Sequence, residues 1–285
     1  MHLRTPLFEL APLEQRLLLA ATPASPRPET LGALLNTGER QIIVDRFDNN
    51  PSQQSLLQTR LNASVTQFDN TLHNYMQSRT NARWYFDDSQ TADYVTYLLG
   101  TTINYNSTVA NANDVVEHRF PEQGSSSSYN VQLGSDIDWI TPGGSSNPEF
   151  LHQLNRHGQF QDLAYAYRIT GDSQYLEELT WEMADWSTQY ITSDVPAAYS
   201  NSDKAGWTLD VALRADNWAF AYFMMIGAPG FAGVDSTLMV YKLIQMGDYL
   251  QTQAASTTDF ASNRSLSVAK SLLLLGQMFP EIDTA

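Results

Sequence analysis

The chain has 285 residues and no cysteine, so disulfide staples and thiolate metal sites are both closed to it. Its five histidines show neither an HExxH-like pattern nor paired metal-ligand spacing, so no metal site and no cofactor is expected. Positive charge is scarce: 31 acidic residues stand against 16 basic ones, for a net charge of −15. That balance argues against non-specific binding to nucleic acid or to anionic membranes. Lysine is the scarcest cation, with only Lys204, Lys242 and Lys270, and every other basic residue is arginine. Arginine's planar fork suits bidentate contact with carboxylates and sulfates, although drift in genome composition gives the same bias. No stretch approaches the roughly 18 to 20 apolar residues that a membrane span needs. What the chain does hold is 42% hydrophobic and 11% aromatic content, enough for a sizeable globular core.

Organisation follows from periodicity. Residues 1–21 form an N-terminal segment, 22–30 a proline-rich linker with nothing to bury, and 31–285 the folded domain. From Pro51 to Ser78, Leu57, Leu61, Val65, Phe68, Leu72 and Tyr75 step by four or three, which predicts a helix. Further helices are predicted over Thr91 to Leu99 and through Val115, before a Ser-, Gly- and Asp-rich excursion over residues 122–148. Helices resume over Leu151 to Ile169 and Gln174 to Tyr190, with Gly171 as the stop between them and Asp172 or Ser173 as the next cap. Three more follow, over residues 206–225, Ser236 to Ala254 and Ser265 to Met278. Helical hairpins whose alternate members are apolar nearly all round suggest two concentric layers, an α/α toroid, with a globular α-bundle as the competitor. Trp84, Trp181, Trp186 and Trp207 read as core residues.

One of these helices poses a question. In GWTLDVALRADNWAFAYFMM, Asp210, Arg214 and Asn217 recur at i, i+4 and i+7 and draw a polar line down an otherwise apolar helix. Either the line is the edge that a toroid's inner helix turns to a central cleft, with Arg214 held by Asp210 for substrate, or it is an intrahelical pair satisfying a buried arginine.

Several stretches in order, VVEHRF then DIDW, QLNRHGQFQDLAYAYRITGDSQYLEEL, WTLDVALRADNWAFAYF and SNRSLSVAKSLLLLGQMFPE, resemble the N-terminal domain of the heparinase II/III-like polysaccharide lyases. They span roughly residues 90 to 281, about two thirds of the chain. The resemblance implies an all-α fold, an incomplete α/α toroid normally followed by a β-sandwich domain. It also implies β-elimination on uronate polysaccharides such as heparan sulfate or alginate. That reaction builds charge on the carboxylate beside the departing C5 proton, so it needs donors aimed there, a base, and a proton for the leaving O4. Asn263 matches the family's catalytic asparagine, though it could instead cap the helix that follows. Where many relatives carry a histidine beside that asparagine, this chain has Arg264, which can bind a carboxylate but makes a poor base. The family's base tyrosine would fall past Ala285, which reads as the end of a fragment, a truncated gene model or a half needing a partner.

The resemblance also sets Asn155, Arg156 and His157 beside the cleft, with Arg156 as a carboxylate clamp and His157 as a proton shuttle or, alternatively, a structural histidine. Asp138 and Trp139 could bind and stack on a sugar, or Trp139 could anchor its loop. Arg214 and Asn217 complete the substrate-binding candidates. The expected partner is an acidic polysaccharide, and no oligomeric state is implied. Two alternatives remain open: a glycoside hydrolase pairing carboxylates among Asp138, Glu149, Asp162 and Asp210, and a non-catalytic carbohydrate-binding surface protein. Leu13, Glu14, Arg16, Leu18 and Leu19 resemble the LEPR-x-LL segment at the start of bacterial surface and secreted proteins, with Gln15 in the proline's place. That implies an extracellular, envelope or periplasmic location, unless the segment is a first amphipathic helix of the fold.

Overall fold

A computed structural model describes residues 35–80, 90–100, 105–123, 128–140, 142–189, 207–256 and 261–282. The N-terminal segment, the linker and Trp84 lie outside the described residues. Three helices come first: α1 (Thr37–Asp45), α2 (Pro51–Ala63) and α3 (Val65–Ser78). Asn36 caps α1 in a reciprocal box with Glu39, and Asn50 caps α2 ahead of Pro51. The single helix predicted over Pro51 to Ser78 is in fact two, because Ser64 is extended at φ −171° and turns the chain back on itself. Its apolar stripe survives on both halves, with Leu57, Leu61, Phe68 and Leu72 buried.

Next come α4 (Thr91–Gly100) and α5 (Asn106–Val116), then the two-stranded antiparallel pair β1 (Arg119–Pro121) and β2 (Tyr129–Gln132). That hairpin sits at the start of the predicted excursion, whose remaining described residues are irregular. The chain then enters α6 (Glu149–Asn155), α7 (Gln159–Thr170) and α8 (Ser173–Gln189). The sequence pattern predicts one helix from Leu151 to Ile169, but the chain breaks at residues 156–158, where His157 takes φ 54°. Gly171 ends α7 at φ 71°, a left-handed stop that glycine adopts without strain, and Asp172 accepts the Gln174 N–H at the start of α8.

The last three helices are α9 (Thr208–Met225), α10 (Gly233–Ser256) and α11 (Asn263–Met278). They form consecutive hairpins: α9 packs on α10, α11 and α7, and α10 packs on α3, α11 and α1. Gly233 lets α10 meet α3 at close range, since a Cβ there would fall 2.9 Å from the Asp69 carbonyl carbon and 2.8 Å from Asn70 Oδ1. The helices α8, α9 and α10 are buried on nearly every face, whereas α2 and α11 are amphipathic and bury one stripe. That division into inner and outer helices is the layered, incomplete α/α toroid expected from the sequence. Among the described residues no helix is long and apolar enough to cross a membrane.

Candidate functional site

The polar line on α9 does not pair with itself. Asp210, fully buried, accepts from Arg156 Nε at 2.7 Å and contacts His152 Nδ1 at 2.5 Å, both presented by the α6 segment. Arg214 donates through Nε to the Asn155 carbonyl at 2.7 Å and lies over the Trp186 indole, its guanidinium carbon 4.6 Å from the ring centre. Asn217 donates to the Arg156 carbonyl at 2.7 Å and accepts from Gln161 at 2.6 Å. One position further on, Trp218 Nε1 donates to His157 Nδ1 at 2.7 Å. The expected Asp210–Arg214 pair is therefore replaced by a row of bonds across to residues 152–161. The break between α6 and α7 exposes backbone groups that have no helical partner, and the line on α9 supplies the partners.

A second polar line runs along α8 and bonds mainly to side chains. Glu178, Glu182, Asp185 and Gln189 share one face and reach the irregular chain around β1 and β2 and the α7 start. Glu178 meets His118 Nε2 at 3.2 Å, Glu182 accepts from Gln159 at 2.8 Å, and Asp185 accepts from Trp139 Nε1 at 2.8 Å. Gln189 accepts from the Trp139 N–H and donates to the Ile137 carbonyl. Burial first, then the Glu178 charge, pushes the Glu182 carboxyl well above the usual carboxylate range. Burial opposes charge on His118, but its contact with Glu178 outweighs it and the net direction is upward.

These contacts decide several of the candidate residues. His157 is fully enclosed by Trp139, Trp186, Trp218 and Phe160, with ring centres 4.9–5.8 Å away. Burial, and then the Arg214 charge, drives its imidazole well below the ordinary value, so it stays neutral and structural instead of shuttling protons to a cleft. Asn155 is likewise buried, its amide spent on the Trp139 and Leu151 carbonyls and on Trp186 Nε1, which removes it from the substrate-binding candidates. Trp139 is buried and anchors its loop, so it offers no face to a sugar. Asp138 is exposed and accepts the Ile140 N–H in a local turn. Arg214, with no exposed surface, is a structural cation and does not clamp substrate.

Beside the break Arg156 stays partly exposed, whereas Asn217 is buried with its amide already bonded to Arg156 and Gln161. Arg156 and Asn217 line a cleft of about 380 Å³ with Gln153, Gln161, Asp162 and Tyr129. Arg156 meets Asp210 through Nε, which leaves both its Nη groups for a ligand. Within the cleft Tyr129 donates to Asp162 at 2.6 Å, and burial raises the Asp162 carboxyl. Of the carboxylates considered for hydrolysis, Asp162 is committed to Tyr129, Asp210 to Arg156 and His152, and Asp138 to its turn, whereas Glu149 is exposed in the first turn of α6. Among the described residues no cluster of three or more His, Asp or Glu could hold a metal.

Asn263 and Arg264 open α11 at the end of the bundle where α9 also begins. Thr208, in the first turn of α9, lies 3.3 Å from the Tyr249 hydroxyl on α10, and Tyr249 feels the charges of both Arg214 and Arg264. Ser262, not Asn263, caps α11 by accepting the Ser265 N–H at 3.2 Å. The Asn263 amide is exposed and not consumed by the helix, and Arg264 is exposed beside it. Sequence reasoning missed His152 and Trp207. His152 precedes Arg156 by one helical turn and shares its carboxylate, a spacing visible in the sequence. Trp207, read as core, is 47% exposed.

Comparison with known proteins gives these features a family. The heparin-sulfate lyase of Pedobacter heparinus is 29% identical over 150 residues, which are 52% of this chain and 21% of that protein. The heparin-sulfate lyase of Bacteroides thetaiotaomicron is 22% identical over 157 residues, 55% of this chain and 21% of that protein. The chain therefore spans about a fifth of the length of these curated relatives. The crystal structure of the heparan sulfate lyase from Pedobacter heparinus superposes with a TM-score of 0.66 at 21% identity, covering 87% of this chain and 36% of that one. Its fold is shared. Residues 49–285 match the family described as Heparinase II/III N-terminus, and the chain belongs to that family.

Proposed function

We propose that this chain works in a polysaccharide lyase that cleaves uronate-containing polymers by β-elimination, with heparan sulfate the foremost substrate. In that reaction a base takes the C5 proton, the C4–O4 bond breaks, a C4=C5 double bond forms and the departing O4 gains a proton. Negative charge gathers on the uronate carboxylate at the transition state, and preorganised donors there lower the barrier. Asn263 is the donor in this reading, with Arg264 neutralising the carboxylate and Arg156 gripping a neighbouring acidic group from the cleft. Arg264 stays protonated and takes no proton itself. The observation that carries the reading is the position of Asn263: an exposed amide on the first turn of α11, left unused because Ser262 does the capping.

The test is incubation of the full protein carrying this chain with heparan sulfate, chondroitin and alginate, following the ultraviolet absorbance of the 4,5-unsaturated uronate. Asn263→Ala should lower turnover by about 10² to 10³-fold, the cost of one oxyanion donor. Silence on every uronate polymer would overturn the reading. Polymer retained without turnover would point instead to a non-catalytic binding protein, and new reducing ends without the chromophore to hydrolysis. An extracellular or envelope setting belongs to the same proposal, since such polymers lie outside the cell, and fractionation of the producing cells checks it.

A further inference from the structure

Of the five described tryptophans, Trp139, Trp181, Trp186 and Trp218 are no more than 3% exposed, and Trp207 is 47% exposed. An indole is among the most favourable groups to bury, so an open one forgoes stability. Trp207 immediately precedes α9, and its side chain makes no cap bond. Its ring sits 4.8 Å from the His152 ring at an interplanar angle of 35°. His152 is itself held: Nδ1 lies 2.5 Å from an Asp210 carboxylate oxygen, and the other oxygen of that buried carboxylate takes Arg156 Nε at 2.7 Å. With Nδ1 committed, Nε2 is the ring nitrogen that can meet a ligand. An open indole face thus stands beside an imidazole and a guanidinium whose orientations a single buried carboxylate sets.

We propose that Trp207, His152 and Arg156 form a binding platform for an acidic saccharide. The indole face receives the C–H face of a pyranose, whose partly positive hydrogens suit the negative face of the ring system. The Arg156 Nη groups, and His152 Nε2 in the form that carries a proton there, take a carboxylate or sulfate on that sugar or the next one. A held platform binds with little ordering cost, because neither the His152 nor the Arg156 side chain has to be immobilised on contact. The acidic character of the ligand rests on the function proposed above; the stacking face does not.

Calorimetric titration of the chain with a heparan-sulfate hexasaccharide, and with maltohexaose as the neutral probe, tests this. Trp207→Ala should weaken the heparan-sulfate hexasaccharide by about tenfold or more, Trp207→Phe by no more than about threefold, and Tyr97→Ala, at an exposed aromatic far along the chain, not at all. His152→Gln should weaken the acidic probe while leaving any maltohexaose affinity unchanged, and circular dichroism of each variant verifies folding. In the native chain, quenching of the solvent-exposed indole emission should track binding. The platform is overturned if Trp207→Ala binds within about twofold of native, if maltohexaose binds as tightly as the acidic probe, or if no hexasaccharide binds. The two proposals separate cleanly: Trp207-dependent binding without the unsaturated product sinks the lyase and keeps the platform, and cleavage with Trp207-independent binding does the reverse.

Discussion

Lys242 gives the sharpest test of the interior. It lies on α10 at 2% exposure, its Nζ 5.7 Å from the centre of the Trp186 ring and 5.9 Å from that of Tyr241. The Arg214 guanidinium occupies the same indole at 4.6 Å, so two cations share one ring system. Arginine keeps its proton and the lysine yields: burial first, then the Arg214 charge, pushes the Lys242 amine down from 10.5 to about 7. At about 1.4 kcal/mol per pH unit, that difference corresponds to a penalty of about 5 kcal/mol on the charged form. The folded value lies below the unfolded one. As pH falls from about 10.5 to about 7 the unfolded chain takes up a proton that the folded chain refuses, so this group's contribution to stability declines throughout that window and levels off below it. Lys242→Met keeps the length of the side chain and removes the titration. The variant's stability advantage over the native chain should therefore grow by about 3 kcal/mol between about pH 9.5 and about pH 6.5. Urea unfolding at matched ionic strength measures it, and Tyr75 and Tyr222, both pushed up to about 12 with burial the main cause, cancel because they are common to both proteins. A gap that stays constant across that range would refute the reasoning, because it would mean that Lys242 titrates in the fold as it does in the open chain.

Three further outcomes follow from buried groups. Glu182 is protonated more readily in the fold than in the open chain, so its contribution is fully present below about pH 4.5 and is lost as pH rises through the folded value; Glu182→Gln should be more stable than native by about 1–3 kcal/mol at neutral pH and equal to it in acid, read from thermal melts. Asp69→Ala should cost about 3–5 kcal/mol in denaturant unfolding, because it strands Arg40, 1% exposed, whose Nε and Nη2 bond to that carboxylate at 2.9 and 2.8 Å. His157→Phe should lose about 1–3 kcal/mol by leaving Trp218 Nε1 without its acceptor, yet leave saccharide binding intact; native stability should also fall as pH drops below about 6.5, where the unfolded imidazole charges and the buried one resists.

Why the sequence reveals some of this and hides the rest comes down to range. Spacing reports which residues share a face, and on that basis the helices, the Gly171 stop and the layered α/α arrangement were legible. What a face meets is decided by topology. Asp210 and Arg214 stand one turn apart and invite each other, yet their partners are Arg156, His152 and Asn155, over fifty residues earlier in the chain. The left-handed turn at His157 was hidden for a related reason. A non-glycine residue at φ 54° is held there by its surroundings, here the Trp218 bond and three indoles, and not by its own preference. The cap at Ser262 and the candidate at Asn263 are adjacent residues of similar capping strength, so no local rule could have divided the two roles.

The polar line on α9, and Gln189 at the end of the line on α8, share one physical cause. Irregular chain at residues 133–140 and 155–158 runs against helices that are otherwise apolar, and its carbonyl and N–H groups would be costly to bury without partners. A helix turning only leucine and alanine to that chain could not satisfy them. Polar side chains on one helix face can: Arg214 and Asn217 bond the Asn155 and Arg156 carbonyls and Gln189 the Ile137 carbonyl and Trp139 N–H, while Glu178, Glu182, Asp185 and Asp210 hold side chains. On α9 the line therefore has two consequences that the sequence presents as alternatives. Arg214 and Asn217 secure backbone, while Asp210, at the end of the line nearest the open rim, holds the Arg156 and His152 side chains. In the platform proposed above, structural bracing and ligand binding are successive turns of one helix, and the change from one to the other falls between Arg214 and Asp210.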